Sequence, residues 1–408
     1  MKNTTLDIIL TNDLHGNFLA LNASNIIKQN STNNCISVDT GDLFSRFYSG
    51  ELIIMKTPEV IDFWLPGNHD LSSEIPKIRD FVLKGNVKKI ISNVKPVVEN
   101  DFIENVIIEI DGVKIGIFGI TTYVNSDFFK FKDTARTIIE NVKKLNDVDF
   151  IILLSHLGIN EDRRIAETVP EVDLILGGHS HTRMTSPELY KKTLIFHAGG
   201  YGELVGKVTL CFNNKKLSAY SGQNYNVSEF KVEESYIEEI SNYKRKLKSV
   251  IFNKENLIFE KYSDNVITHA VLQSIKHETG IKNIILNSSL INPVMLKGKV
   301  TFEDLKYILG YHTDLYIMSV SMKDIEKVLK RSTKDYYTKL HFIKEGKKRS
   351  NLDMDLLTDV VVTDFLAQGG HHGGSMFPEF RFKDRIKFKK DPVKILADYL
   401  KNNFEHIV

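Results

Sequence analysis

Cysteine is nearly absent: two in 408 residues, Cys35 and Cys211, in unrelated contexts. That excludes a metal site built on cysteine pairs and argues against a disulfide framework. Excess charge is missing too. Lys and Arg total 54 against 52 Asp and Glu, a formal net charge of +2. No bulk attraction to nucleic acid or to an anionic membrane follows from that balance. No apolar run approaches the ~20 residues of a membrane-spanning helix. The first apolar run, Leu6–Leu10, is interrupted by Asp7 and is shorter than the ~7–15 residues of a secretory signal core. A cytoplasmic protein without nucleic-acid or membrane partners is therefore expected. Neither a solenoid-period repeat nor a low-complexity tract occurs. What remains is 42% hydrophobic and 26% charged, the composition of a folded globular chain. Its length gives a prior of two or three domains at ~150 residues each.

The first 200 residues alternate short apolar runs with polar or helical stretches. Leu6–Leu10, Cys35–Val38, Val60–Leu65, Lys89–Ile91, Phe150–Leu154, Val172–Leu176 and Leu194–Phe196 read as strands. Ile107–Ile110 and Val113–Ile120 flank Asp111-Gly112, a hairpin signal. Thr134–Leu145 carries helical spacing. Leu204–Phe212 and Leu217–Tyr220 form a second hairpin across residues 213–216. Residues 231–250 are polar, with Ile237, Ile240, Tyr243 and Leu247 at helical spacing, and read as a connecting helix. A second domain over residues 251–408 mixes helical patterns (Val266–His277, Phe302–Ile308, Met322–Lys330) with strand-like runs (Ile284–Leu286, Tyr316–Val320, Val360–Thr363). The order suggests layered α and β elements around one or two sheets, not purely parallel.

The informative residues follow the apolar runs of residues 1–230. Asn12-Asp13-Leu14-His15-Gly16 follows the first, and Asp39-Thr40-Gly41-Asp42 the second. Pro66-Gly67-Asn68-His69-Asp70 follows Leu65, Ser155-His156 follows Leu154, and Gly177-Gly178-His179-Ser180-His181 follows Leu176. Five strand ends thus each present Asp, Asn or His, and ligands of α/β layers bind at such ends. A lone Asn-His-Asp after glycine is ordinarily a loop, and a lone buried His is ordinarily a satisfied core residue. The repetition is what chance does not supply, and five of the thirteen histidines lie in these fragments. If the chain is extended there, Asp13 and His15 point the same way, as do His179 and His181. A carboxylate can bridge two cations with its two oxygens. Nitrogen and oxygen donors without thiolate favour Mn, Zn, Fe or Co.

The ordered set Asp-x-His, Gly-Asp, Gly-Asn-His-Asp, His and Gly-His-x-His resembles the signature of the calcineurin-like metallophosphoesterases. Within them the chain is similar to the two-domain 5'-nucleotidases, through Leu10-Thr11-Asn12-Asp13-Leu14-His15-Gly16 and His197-Ala198-Gly199-Gly200-Tyr201-Gly202-Glu203-Leu204-Val205-Gly206. The resemblance implies a four-layer αββα catalytic domain followed by a smaller α/β substrate-binding domain. It implies one divalent metal held by Asp13, His15, Asp42 and His181. A second would be held by Asp42, Asn68, His156 and His179, with Asp42 bridging. Hydroxide held between the metals would attack phosphorus in line, and His69 would stabilise the leaving oxygen or the transition state. The family's nucleotidases often place an Asp three residues after that His; here the position is Ser72. Asp70 is the adjacent carboxylate, either a catalytic partner of His69 or a residue that orients it and the turn.

In the family, the second domain supplies substrate contacts. Asn287 matches an Asn at a strand end, but the Arg expected after it is Asn292. Tyr311 offers one aromatic face. The Gly-rich turn Phe365-Leu366-Ala367-Gln368-Gly369-Gly370-His371-His372-Gly373-Gly374 has His371 where an Asp is usual and Gly373 where an aromatic is usual. Each lost stacking partner costs ~1–3 kcal/mol of base binding. A lost Arg removes a bidentate cationic donor. Asn287, Tyr311, His371 and His372 are the candidate substrate contacts, and His269, His312, His371 and His372 a candidate polar pocket. The plain alternative for His371-His372 is a solvated turn. The Lys-rich stretches 344–348 and 387–390 read as solvated surface. The expected function is hydrolysis of phosphate esters of nucleotides or related small molecules, of 5'-nucleotidase or 2',3'-cyclic phosphodiesterase/3'-nucleotidase type. The alternative is a nucleotide-binding regulatory protein with vestigial turnover.

Overall fold

The structure is a computed structural model. It describes residues 3–44, 51–73, 75–234, 236–238, 250–254, 264–287, 298–302, 305–306, 309, 314–332, 340–343, 355–367, 379 and 384–403. The chain divides into two compact units, Met1–Tyr243 and Lys244–Val408.

In chain order the first unit begins β1 (Asn3–Thr11), α1 (Leu19–Gln29), β2 (Asn34–Asp39), α2 (Glu51–Val60), β3 (Phe63–Trp64), α3 (Asn68–Leu71), α4 (Pro76–Lys84), β4 (Lys88–Lys89) and β5 (Val94–Pro96). It continues β6 (Asn105–Ile110), β7 (Val113–Thr121), β8 (Phe129–Phe131), α5 (Thr134–Lys144), β9 (Phe150–His156), α6 (Ile159–Thr168) and β10 (Leu174–Gly177). It closes β11 (Glu188–Tyr190), β12 (Thr193–His197), β13 (Leu204–Asn213) and β14 (Lys216–Asn226). Two six-stranded sheets result, ordered β14-β13-β1-β2-β3-β4 and β11-β12-β10-β9-β7-β6. In each, the four successive strands that end in the polar fragments or beside them run parallel: β1, β2, β3 and β4 in one sheet, β7, β9, β10 and β12 in the other. Antiparallel strands close the edges.

Side-chain alternation explains the layers. On β9, Ile152 and Leu154 join the core between the sheets, while Ile151 and Leu153 join a second core with Ile138 of α5 and Ile165 of α6. Across the sheets, Phe150 meets Phe212 of β13 edge to face at 5.4 Å. Helices α1, α2 and α4 bury Leu21, Ile53, Ile78 and Val82 against the first sheet's side. The unit is a four-layer α/β/β/α sandwich. Buried on both faces, β9 reads as an unbroken apolar run. The Asp111-Gly112 turn joins β6 to β7 with both residues at positive φ, +51° and +88°. Asp133 caps α5 by accepting from the Arg136 N–H at 2.7 Å.

One strand expectation is corrected. Val60 ends α2, the turn continues with Ile61 N–H donating to Thr57 O, and the strand shrinks to Phe63–Trp64. A short apolar run does not distinguish strand from helix by period. The expected connecting helix falls mostly outside the described residues; of it, residues 234 and 236–238 are helical.

The second unit has a five-stranded mixed sheet, in order Leu340–Ile343, Asn283–Asn287, Leu357–Thr363, Leu315–Ser321 and Arg385–Lys387. Its two faces carry separate cores. Ile284, Leu286 and Val361 pack with the helices Asp264–Thr279 and Pro392–Asn403. Ile285, Val360 and Val362 pack with Met322–Ser332 and Asp364–Ala367. A small ribbon pairs Val250–Lys254 with Gly298–Thr301. Lys387 pairs with Asp314, and Lys390 with Glu278 and Asp398. Among the described residues no helix is long and apolar enough to cross a membrane.

Candidate metal centre

The registers of the two sheets bring the polar fragments to one edge. Thr11 of β1 pairs with Asp39 of β2, and Asp39 with Trp64 of β3. In the other sheet His156 pairs with Thr121, and Gly177 with Ser155. Asp13, His15, Asp42 and Asn68 therefore leave the first sheet at the carboxyl ends of its strands, where His156, His179 and His181 leave the second.

The seven side chains converge in two neighbouring groups, Asp13, His15 and His181 in one and Asp42, Asn68, His156 and His179 in the other. In the first, His15 Nε2 and His181 Nε2 face each other at 3.2 Å, and His181 Nε2 lies 3.3 Å from Asp13 Oδ1. In the second, Asn68 Oδ1 lies 3.1 Å from His156 Nε2 and 3.0 Å from His179 Nδ1, while His156 Nε2 is 3.3 Å from Asp42 Oδ2. His69 also reaches this space, its Nε2 3.9 Å from Asp42 Oδ2 and its ring 5.1 Å from that of His15. Asp13-His15-His181, His15-Asp42-His69 and Asp42-His156-His179 each offer donor atoms close enough for one cation.

The donor set fits divalent cations. Two imidazole nitrogens opposed at 3.2 Å cannot both donate, and a cation between them uses both lone pairs. Burial, then the neighbouring His69, pushes His15 down to about 3. Burial, then His156, pushes His179 down to about 4. Both rings are thus kept neutral, the form that ligates. Burial opposes a charge on His156, but Asp42 outweighs it and holds that ring up at about 10. His156 Nδ1 lies 2.7 Å from the Thr40 carbonyl oxygen, so this nitrogen donates and Nε2 faces the cluster. Burial also works against a charge on Asp42, yet His156 and His69 hold its carboxyl well below the usual range.

The backbone here is not extended, which corrects the reason given above for paired side chains. Asp13, His15, Asp42, His179 and His181 all have positive φ, between +46° and +71°. The left-handed region is uncommon for residues other than glycine. The remaining non-glycine cases among the described residues are Asp111, Lys191, Tyr201, Asn214 and Lys215, and all but Tyr201 sit in turns between paired strands. The donors are thus aimed by tight loops, not by strand alternation. Crowding fixes those loops. At Gly41, with φ +105°, a Cβ would lie 2.6 Å from His156 Nδ1 and 2.8 Å from Gly67 Cα.

Asp70 is buried and faces the backbone. Its Oδ2 accepts from the N–H groups of Asp42 at 2.9 Å and Gly67 at 2.8 Å, and its Oδ1 from Phe44 N–H at 3.0 Å. It ties the Asp42 loop to the Asn68 loop. Burial and the charge of Asp42 push it up to about 7. Ser72 ends the α3 turn, its N–H donating to Asn68 O at 2.9 Å.

Three participants escaped the sequence reading. Asn12 donates to Asp13 Oδ2 at 2.7 Å and to Gly199 O at 2.5 Å, and accepts from Ala198 N–H at 3.0 Å. Asn12 stood in a quoted motif, but nothing in its type marks it as a brace. Thr40 acts through its carbonyl, which no side-chain pattern reveals. Tyr201 places its ring beside His15 and His181, and its signal was an aromatic between two glycines. Of the substrate candidates, Asn287 ends a strand paired with Leu340. Tyr311, His371 and His372 lie outside the described residues, as do Asn292 and His312. His269 is exposed on its helix.

Known proteins resemble the chain in sequence and in fold. Residues 6–183 match the family model for calcineurin-like phosphoesterase. The trifunctional nucleotide phosphoesterase protein YfkN of Bacillus subtilis is 26% identical over 334 residues, covering 71% of this chain and 22% of that protein. An apyrase of Tabanus yao is 25% identical over 293 residues, covering 59% of this chain and 52% of that one. The chain thus spans about a fifth and about a half of these relatives' lengths. Among solved structures, the 5'-nucleotidase precursor of Thermus thermophilus superposes with a TM-score of 0.61 at 21% identity, covering 98% of this chain and 96% of that one. The 5'-nucleotidase of Candida albicans superposes with a TM-score of 0.62 at 14% identity, covering 97% and 98%.

Proposed function

We propose, from the premise that this chain belongs through its first unit to the calcineurin-like phosphoesterases, that it is a metal-dependent hydrolase of small phosphate esters, acting on nucleotides or close relatives. The observation that carries the reading is the buried carboxylate of Asp42, which lies within cation-binding reach of His15 and His69 on one side and of His156 and His179 on the other. In this reading Asp13, His15, Asp42 and His181 hold one divalent cation, and Asp42, Asn68, His156 and His179 the other. Two such cations supply a nucleophile from water at neutral pH and a clamp on the phosphoryl oxygens.

The chain's own residues set the geometry of that reaction. Asp42 Oδ1 accepts from the His69 N–H at 2.8 Å, which leaves Oδ2 for the cluster. The His69 side chain is 24% exposed, so its ring is open to solvent on one side and borders the cluster on the other. It is the residue placed to protonate or hydrogen-bond the leaving oxygen. Asp70 acts as a positioning residue, holding the loops of Asp42 and Asn68 at a fixed separation. The nucleotide preference rests on the nucleotide phosphoesterase and apyrase relatives.

The test is a substrate panel with purified protein and Mn²⁺: an aryl phosphate, a bis-aryl phosphate, 5'- and 3'-mononucleotides, 2',3'-cyclic nucleotides and nucleotide sugars, beside Asp42→Asn. Metal-dependent hydrolysis that disappears in the variant is expected, and the preferred ester names the subclass. Two bound metals with no hydrolysis across the panel would overturn the reading in favour of a binding protein.

A further inference from the structure

Among the described residues, Tyr201 is the one strained residue near the cluster that is neither a proposed ligand nor part of a turn between paired strands. Its φ is +57°, a conformation a tyrosine rarely keeps unless its surroundings impose it. Its ring stands edge to face against His181, centroids 4.8 Å apart at 87°, and lies tilted over His15 at 5.2 Å and 32°. One ring therefore touches both imidazoles whose Nε2 atoms oppose each other at 3.2 Å.

The surrounding turn is built to hold it there. Asn12 and Asn17 bracket the Asp13–His15 loop, and both reach across to the turn at residues 199–202. Asn12 donates to Gly199 O at 2.5 Å, and Asn17 donates to Tyr201 O at 3.0 Å and Gly202 O at 3.1 Å. Glu203 N–H closes the turn onto Gly200 O at 3.4 Å, and the Glu203 carboxylate pairs with Arg183. A Cβ at Gly200 would lie 2.6 Å from His181 Cγ, so the turn packs directly on that ring. The ligand loop and the Tyr201 turn are clamped at both ends, with the phenol ring packed against both histidines.

We propose that Tyr201 is a positioning residue for the first cation site: its ring fixes the orientations of the His15 and His181 imidazoles and so sets the affinity of that site. The inference rests on the two-cation reading above. The contacts with His15 and His181 are made by the aromatic ring, so the ring carries the role. Groups that orient metal-ligating histidines commonly change metal affinity by about 10–100-fold when removed.

The test is Mn²⁺ binding to chelator-stripped protein by titration calorimetry, for wild type, Tyr201→Phe, Tyr201→Ala and Tyr201→Gly. Wild type with no bound Mn²⁺ would remove the two-cation reading itself. With two sites present in wild type, Tyr201→Ala is expected to weaken one of them about 10–100-fold and leave the other unchanged. Tyr201→Phe is expected to restore it. Tyr201→Gly, which relieves the positive φ, is expected to unfold no earlier than Tyr201→Ala in chelator while binding Mn²⁺ as poorly. Turnover of Tyr201→Ala recovers as Mn²⁺ is raised. Unchanged affinities in Tyr201→Ala, equal loss in Tyr201→Phe, or equal weakening of both sites would each overturn the proposal.

Discussion

Replacing Asp70 by Asn removes one formal charge and half of its acceptor capacity. The three backbone N–H groups aimed at Asp70 stay where they are, at 2.8–3.0 Å. An Asn oxygen in the place of Oδ2 still accepts from Asp42 and Gly67. Its amide then points a donor at the Phe44 N–H. The change forfeits a charge-assisted bond, about 1.5–3 kcal/mol, and leaves a buried donor unpaired at about 1–3 kcal/mol. Removing a buried charge beside Asp42 offsets part of this, since burial and Asp42 already disfavour that charge. A net loss of about 2–4 kcal/mol is expected, which lowers Tm by roughly 5–12 °C for a unit of this size. The assay is thermal unfolding in chelator, paired with Mn²⁺ titration. Because Asp70 spaces the Asp42 and Asn68 loops, Mn²⁺ affinity should fall together with Tm. A variant with wild-type Tm and wild-type Mn²⁺ affinity, but turnover lowered a hundredfold, would refute the positioning argument and give Asp70 a direct part in proton transfer.

Three further outcomes follow from the geometry. His69→Ala is expected to keep both cations and lose about 10²–10⁴-fold in kcat; elemental analysis showing one cation lost would instead make His69 a ligand, as its approach to Asp42 and His15 permits. At Gly177, an added Cβ would collide with His197 Nε2 and lie 2.5 Å from Asp162 Oδ2, a fully buried pair 2.7 Å apart. Gly177→Ala should therefore cost about 2–5 kcal/mol in urea unfolding, and an unchanged midpoint would show that the pair yields without loss. His156 is raised to about 10 in the metal-free protein, above its ordinary 6.5. Its stabilising contribution is complete below about pH 6.5 and is lost as pH rises toward 10. Chelated protein should thus lose Tm between about pH 7 and 10 while the Mn²⁺ form, whose cation replaces that proton, does not; parallel curves would contradict the assignment.

The strand segments and the polar side chains that converge were legible in sequence because both leave local marks. Buried strands such as Phe150–Leu154 are continuous apolar runs, and the donors are side-chain types repeated after such runs. The reason the donors converge was not legible. Alternation suggested an extended Asp13-x-His15, whereas left-handed φ values at Asp13 and His15 aim them. That conformation is imposed by contacts distant in sequence, such as Asp13 N–H with Gly41 O at 2.8 Å and His15 N–H with Asp42 O at 2.9 Å. Val60–Leu65 read as one strand because a short apolar run does not distinguish strand from helix by period, whereas Val60 ends α2 and the strand is Phe63–Trp64. Asp70 could be read from sequence as a catalytic partner or as a brace. Only the positions of the Asp42, Phe44 and Gly67 amides show what its carboxylate faces.

The most direct test of the two-cation account is to titrate chelator-stripped protein with Mn²⁺ while following bound metal and hydrolysis of a bis-aryl phosphate in the same sample. Hydrolysis that appears only as the second equivalent binds, and is absent in Asp42→Asn, is the expected result. Full turnover at one equivalent, or turnover indifferent to metal, would contradict it.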